Sequence, residues 1–169
     1  MNILEQMNNV LIKQKEYFVK NGAPSIELRI DRLERLKSLI MANRYDFVET
    51  LNSDFGNRSK NASMLSDVYG IMPAINLAIK NVKKWSKDEK KSSNFPFGLL
   101  GAKSYIRYEP LGTVGMISPW NFPVNLAFVP LVSIFAAGNQ VMHKPSEHTP
   151  LTSAFLKDLC DKAYDEVES

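Results

Sequence analysis

Between Ser25 and Phe55 the apolar residues Ile26, Ile30, Leu33, Leu36, Ile40, Phe47, Val48, Leu51 and Phe55 recur mostly at intervals of three and four. That spacing puts them on one stripe, so the segment is expected to be a long amphipathic helix with a polar break around Arg44. Pro24 and Ser25 can open it, and Gly56 can close it in the left-handed conformation that glycine tolerates. Ahead of it, MNILEQMNNVLIKQKEYF reads as a further helix, rich in acids and amides. A second periodic run follows. Met64, Val68, Ile71, Ile75, Ala78, Val82 and Trp85 repeat alternately at four and three, which predicts a second long helix with Trp85 on its core stripe. Pro73 removes one backbone donor and is expected to bend it.

After residue 91 the pattern changes. SSNFPFGLLG, residues 92–101, is rich in turn formers, and SYIRYE, from Ser104 to Glu109, alternates as a strand does. From Thr113, TVGMIS reads as a short apolar strand, PWNFP as a turn, VNLAFVPLVSIFAA as an apolar helix ended by Gly138, and QVMHK as another strand. This is a βαβ unit. Its strands should lie parallel, with a right-handed crossover and ligands at their carboxyl ends, Ser118 to Phe122 and Lys144 to Glu147. A last helix should open with Thr149 as its cap and Pro150 in its first turn, with Leu151, Phe155, Leu159 and Ala163 on one face. The predicted class is α/β: long N-terminal helices, then the opening βαβ of a doubly wound, Rossmann-like sheet. Two parallel strands leave an edge uncovered, so the sheet reads as truncated.

Length and composition limit the alternatives. At 169 residues and 44% hydrophobic content, the chain suits one compact domain or parts of two. No uninterrupted apolar run reaches the roughly 18 residues that a bilayer span needs, and the N-terminus lacks the basic-then-apolar order of a signal peptide. The expected setting is therefore cytoplasmic, with no membrane partner. Cys160 stands alone and can form no internal disulfide, which fits a reducing compartment. The net charge of +3 gathers in KNVKKWSKDEKK, where six lysines surround Trp85. A nucleic-acid face would add arginines and interleaved aromatics; lysines at a helix C-terminus, favoured by its dipole, are the plainer reading.

Asn121 and Lys144 stand at the ends of the two predicted parallel strands. An asparagine amide can stabilise charge developing on a carbonyl oxygen without a proton to lose. A lysine offers several donors to ribose hydroxyls or a phosphate. Each also has an ordinary structural reading, Asn121 as a turn residue between prolines and Lys144 as a solvated strand end. Glu147 could accept from a ribose or simply precede a helix N-terminus. Cys160 falls on the apolar side of the last helix and is expected to be a core or half-buried thiol. His143 and His148 have no carboxylate or cysteine partners in sequence, so no metal is expected. Asp54, Phe55 and Gly56 spell the magnesium motif of protein kinases without any of its companions, and a helix end accounts for Gly56.

The run from Pro110 to Thr152 resembles the cofactor-domain opening of the aldehyde dehydrogenase superfamily, with the PWNFP turn and the KPSE segment separated by AAGN. DFGNRS, the helix carrying Trp85, and PVNL after the turn are similar to the class-3 and coniferyl aldehyde dehydrogenase branch. The resemblance implies that Asn121 is the catalytic asparagine, holding the substrate oxygen as a thiohemiacetal forms. It implies that Ile117, Ser118, Pro119, Trp120 and Asn121 line the cofactor, that Lys144 binds the adenosine ribose with Ser146 beside it, and that Glu147 bears on the choice between NAD and NADP. It also implies a homo-oligomer that oxidises an aldehyde to a carboxylic acid, with residues 1–91 as a helical arm, 92–112 as a linker and oligomerisation strand, and 113–169 as the start of the cofactor domain. The family's glycine-rich turn, nucleophilic cysteine and general-base glutamate all lie beyond KPSE and have no counterpart in this sequence. The chain alone is thus expected to be inactive, and a non-catalytic assembly or binding module is the competing expectation.

Overall fold

The computed structural model describes residues 2–168. Helix α1 (Ile3–Asn21) opens with a reciprocal cap: the Asn2 side chain accepts from the Glu5 amide at 2.8 Å, and the Glu5 carboxylate accepts from the Asn2 amide at 3.0 Å. Its one buried side chain is Gln14, whose amide nitrogen donates to the carbonyls of Val141 and Glu166.

The expected helix from Ser25 to Phe55 is two helices, α2 (Ile26–Ala42) and α3 (Arg44–Phe55). Asn43 separates them with a backbone outside helical geometry, and its backbone and side-chain nitrogens both donate to the Leu39 carbonyl. A local side-chain bond of this kind competes with helix continuation. Ser25 caps α2 and Gly56 closes α3 at φ 77°, as expected.

The next run is also divided. Helix α4 (Lys60–Ser63) passes into a π turn (Met64–Val68), a 3-10 turn (Tyr69–Ile71) and then α5 (Met72–Trp85). Pro73 lies in the first turn of α5, where its missing donor has no helical partner to lose, so it starts a helix instead of bending one. Val68, Ile71, Ile75, Ala78 and Val82 are buried. Trp85, expected on that stripe, is half-exposed at 49%: it is the last residue of α5, with one side against a hollow shared with Arg29 and Tyr108. By length and composition alone, Lys60–Trp85 could cross a membrane, but its apolar stripe faces the core and its helix is interrupted.

Lys83 and Lys84 sit in the last turn of α5, where the dipole favours them. Lys80 lies one turn earlier in the same helix, while Lys87, Lys90 and Lys91 lie beyond it. Strand β1 (Glu89–Lys91) pairs antiparallel with β2 (Ser104–Ile106), and Arg107 clasps the Asp88 carboxylate with two bonds of 2.8 and 2.7 Å.

The βαβ unit is as expected from β3 to β4. Strand β3 (Thr113–Ile117) runs parallel to β4 (Gln140–Lys144), in register from Thr113 opposite Gln140 to Ile117 opposite Lys144. Between them α6 (Asn125–Ala137) buries Ala127, Phe128, Leu131, Val132 and Phe135, and Gly138 ends it in the left-handed region. One core joins these layers: Phe47 of α3 meets Phe128 of α6 at 5.9 Å and Phe155 at 5.1 Å, both edge-on.

Phe155 belongs to α7 (Pro150–Ala163), which carries a correction. Thr149 makes no capping bond, and its hydroxyl is buried without a partner among the described residues. The cap comes instead from Asp54, whose carboxylate accepts from the Leu151 amide (3.0 Å), the Thr152 amide (2.7 Å) and the Thr152 hydroxyl (2.6 Å). A carboxylate is a stronger acceptor than a hydroxyl at the positive end of a helix. Leu151, expected on the apolar face, is 52% exposed.

Candidate functional site at the strand ends

The ladder between β3 and β4 is extended once beyond Ile117, where the Ser118 amide donates to the Lys144 carbonyl at 3.2 Å. Pro119 then takes the chain out of the sheet, and α6 begins at Asn125. The segments Ile117 to Asn121 and Lys144 to Glu147 therefore leave the sheet at the same end. Ile117 is 80% exposed, and Pro119, Trp120 and Asn121 are exposed with it.

Two of the expected cofactor contacts are inside the protein. Ser118 is buried, with its hydroxyl 2.8 Å from His143 Nε2. Burial pushes the His143 imidazole down to about 4, so the ring is neutral at pH 7 and the pair is a neutral hydrogen bond. Ser146 is buried too: its hydroxyl accepts from the His148 amide, and its carbonyl accepts from the Ser153 hydroxyl. These bonds shape the turn between β4 and α7.

Lys144 and Glu147 are exposed and joined to each other by an ion pair at 2.7 Å. The bond from Lys144 holds the Glu147 carboxyl below its usual range. The pair presents donors and an acceptor side by side, which suits a vicinal diol.

The Asn121 turn is held from behind by residues that spacing alone does not single out. Arg58 Nη1 donates to the Asn121 carbonyl at 3.2 Å, and its Nη2 donates to Asp67 Oδ2 at 2.6 Å. Asp67 is fully buried, and its other oxygen accepts from the amides of Val124 (3.3 Å) and Asn125 (3.4 Å). Burial pushes the Asp67 carboxyl up, against the pull of Arg58 and these donors. The Arg58 guanidinium is sandwiched by two rings, 4.7 Å from the centroid of Phe55 and 5.2 Å from that of Phe122. Phe55 in turn lies 6.5 Å from Trp120. The available signal for Asp67 is its place three residues after Met64, a charge on an apolar stripe.

Cys160 is half-buried, and burial raises its thiol to about 11, which leaves it protonated and unreactive at neutral pH. A hollow of about 1080 Å³ lies between α1, β4 and α7. It reaches Lys144 but is lined by none of residues 117–122, so it is separate from the Asn121 turn.

A parallel βαβ unit with a polar turn after its first strand and a Lys–Glu pair after its second is the opening of a Rossmann-like layer. Residues 5–167 match the aldehyde dehydrogenase family, and the chain belongs to it. It is 46% identical over 163 residues to a probable coniferyl aldehyde dehydrogenase of Caulobacter vibrioides, covering 96% of this chain and 34% of that protein. It is 42% identical to the coniferyl aldehyde dehydrogenase of a Pseudomonas species, covering 97% of this chain and 33% of that one. Among solved structures, the substrate-bound AldH of Staphylococcus aureus superposes with a TM-score of 0.87 at 32% identity, covering 99% of this chain and 35% of that one. The glyceraldehyde-3-phosphate dehydrogenase GapN of Methanocaldococcus jannaschii, in complex with NADP, gives 0.79 at 25% identity, covering 94% and 33%. The chain thus spans about a third of the length of the curated relatives it matches.

Proposed function

We propose that this chain supplies the oxyanion donor and part of the cofactor site of an NAD(P)-dependent aldehyde dehydrogenase, which converts an aldehyde to a carboxylic acid through a cysteine thioester. The observation that carries the reading is the exposed Asn121, at the carboxyl end of β3, with its backbone held by Arg58. Its side-chain amide is the neutral donor that an oxygen gaining charge requires. Cys160, half-buried and protonated, is unsuited to the nucleophile's role, which this reading gives to sequence outside the chain.

The strand ends fit a dinucleotide, whose nicotinamide accepts hydride when bound. Exposed Ile117, with Pro119 and Trp120, offers apolar surface to it, and the Lys144–Glu147 pair can engage the two hydroxyls of the adenosine ribose. Ser118 and Ser146 contribute by shaping the backbone there, since both side chains are buried. Glu147 opposes a 2′-phosphate while Lys144 attracts one, so both NAD and NADP remain in the proposal. In this reading residues 1–91 form an arm, helical as far as Trp85 and ending in β1, 92–112 the linker and oligomerisation strand, and 113–169 the start of the cofactor domain. Exposed Phe95, Phe97, Leu99 and Leu100 beside the β1–β2 hairpin support assembly into a homo-oligomer. A single unpaired cysteine accords with a cytoplasmic setting.

The test uses the complete protein that carries this chain. Asn121→Ala should slow acylation by roughly a hundred-fold or more, the loss of one oxyanion donor worth about 3 kcal/mol, with little change in cofactor affinity. Lys144→Ala should weaken cofactor binding and leave acylation at saturating cofactor nearly intact. An unchanged burst of product in Asn121→Ala would overturn the reading.

A further inference from the structure

The PWNFP turn has few means of holding its own shape. Two prolines remove amide donors from it, and no strand pairs with it beyond Ser118. An oxyanion donor, however, must stand in place before the charge develops, because a donor that has to be reoriented during the reaction loses its advantage. The Asn121 carbonyl is one bond removed from the Cα that carries the amide side chain, so whatever fixes that carbonyl also restricts the side chain.

The partner that fixes it comes from the segment between α3 and α4. Arg58 reaches the Asn121 carbonyl with one nitrogen and the Asp67 carboxylate with the other. Asp67 then binds the first amides of α6 with its second oxygen, so one buried carboxylate and one guanidinium clamp the turn at both ends. The surroundings leave the clamp little room to move. Rings of Phe55 and Phe122 flank the guanidinium, and Asn125 donates to the Ser66 carbonyl at 2.7 Å across the same junction. Gly70 permits that approach, since a Cβ there would stand 2.8 Å from Asn125 Nδ2. Asp67 itself is carried on the π turn, a widened turn of the sort that often marks a functional position.

We propose that Arg58, bridging the buried Asp67 carboxylate and the Asn121 carbonyl, is a positioning residue that holds the Asn121 amide ready for the reacting oxygen. Arg58 touches neither substrate nor cofactor in this role; it acts through the backbone of Asn121. The inference rests on the oxyanion role proposed for Asn121, and the experiment separates the two.

In the complete protein, acylation rate, cofactor dissociation constant and melting temperature are measured for Asn121→Ala, Arg58→Ala and Arg58→Lys. Arg58→Ala should acylate roughly ten- to a hundred-fold more slowly, because a small misplacement of a reacting group has effects of that size. Its cofactor affinity should stay within about two-fold of the unaltered protein. Lysine keeps the charge beside Asp67 but cannot offer two nitrogens in a rigid fork, so Arg58→Lys should recover only part of the rate. Added guanidinium ion should raise the rate of Arg58→Ala and leave that of Asn121→Ala unchanged. Should the fully buried Asp67 tolerate no change, these Arg58 variants still decide the matter.

A full acylation rate in Arg58→Ala alongside a slowed Asn121→Ala overturns the positioning role and leaves the oxyanion reading standing. A loss in Arg58→Ala that guanidinium does not relieve, and that merely follows a lowered melting temperature, also overturns it. If Asn121→Ala keeps its full rate, the oxyanion reading has failed, and the clamp is decided by nuclear magnetic resonance of the 169-residue chain. There Arg58→Ala should shift and broaden the Asn121 side-chain amide signals, and unshifted signals overturn the inference.

Discussion

Asp54→Ala should cost this chain far more stability than its place at the end of α3 suggests. The carboxylate accepts three hydrogen bonds at the start of α7, from the Leu151 and Thr152 amides and the Thr152 hydroxyl. Losing a helix N-cap costs about 0.5 to 2 kcal/mol. The Thr152 side chain is fully buried, and leaving its hydroxyl without an acceptor adds about 1 to 3 kcal/mol. The two losses share one carboxylate and are not fully additive, so about 2 to 4 kcal/mol is expected. At roughly 2 to 4 °C per kcal/mol for a chain of this size, the melting temperature should fall by about 5 to 15 °C. Asp54→Asn, which keeps one acceptor oxygen but no charge, should lie between.

The comparison that makes this decisive is Thr149→Val. Thr149 holds the sequence position of the cap, yet its hydroxyl is buried and unpartnered among the described residues, so an isosteric methyl should leave stability within about 0.5 kcal/mol or raise it. Urea denaturation followed by circular dichroism reads both variants. Asp54→Ala within 0.5 kcal/mol of the parent chain, or Thr149→Val costing more than Asp54→Ala, would refute the reasoning.

Two further changes probe the same layers. His143 is held neutral by burial, with its pKa lowered to about 4 from an unfolded value near 6.5, so below pH 6.5 the unfolded chain takes up a proton that the folded chain refuses. Its contribution is complete above pH 6.5 and should fall by up to about 1.4 kcal/mol per pH unit toward pH 4; equal urea midpoints against pH for the parent chain and His143→Asn would contradict this. Gly138→Ala should cost about 2 to 4 kcal/mol, because φ is 86° and the added Cβ would stand 2.7 Å from the buried Arg29 guanidinium; a melting temperature within 1 °C of the parent chain would show that Arg29 withdraws freely.

The parts of the fold that were legible in the sequence are those where one period runs without competition. The βαβ unit is of this kind: two short strands, a helix closed by Gly138, and polar Ser118 and Lys144 where the strands leave the sheet. The helices before it were legible as apolar stripes but not as single elements. Asn43 breaks the first by bonding to Leu39, and the π and 3-10 turns break the second while keeping Val68 and Ile71 buried. Periodicity records which side faces the core and is nearly blind to one extra residue in a turn. Of the candidate site, Asn121, Lys144 and Glu147 are singled out by strand ends and motif resemblance, whereas Arg58 and Asp67 are not. Their contacts span 63 and 57 residues of sequence, to Asn121 and Val124, and no local spacing encodes such a separation. Asp54 is hidden in the same way: a DFG triplet at a helix end gives its carboxylate no local partner, yet the amides of Leu151 and Thr152, 97 and 98 residues away, bond to it.

These long bonds share a direction, and it bears on how the site holds together. Arg29 donates to the Ala136 carbonyl at the end of α6, Arg32 donates to the Asn139 carbonyl and to Glu168, Asp54 caps α7, and Asp67 caps α6. Apart from the Arg32–Glu168 ion pair, each of these is a charged side chain from the helical half satisfying a backbone group that the βαβ layer and α7 leave unpaired. A helix end buried without such a partner would cost about as much as a lost hydrogen bond for each orphaned group. Apolar packing could hold the two halves together without any of these charges, and the shared core of Phe47, Phe128 and Phe155 does so. What packing cannot do is set the ends of α6 and α7 to a fraction of an ångström, because apolar contacts carry little direction. Directional bonds can, and the Asn121 turn stands one residue beyond a helix end that they fix. The strand-end geometry is therefore as much a product of Arg58 and Asp67 as of the PWNFP sequence itself.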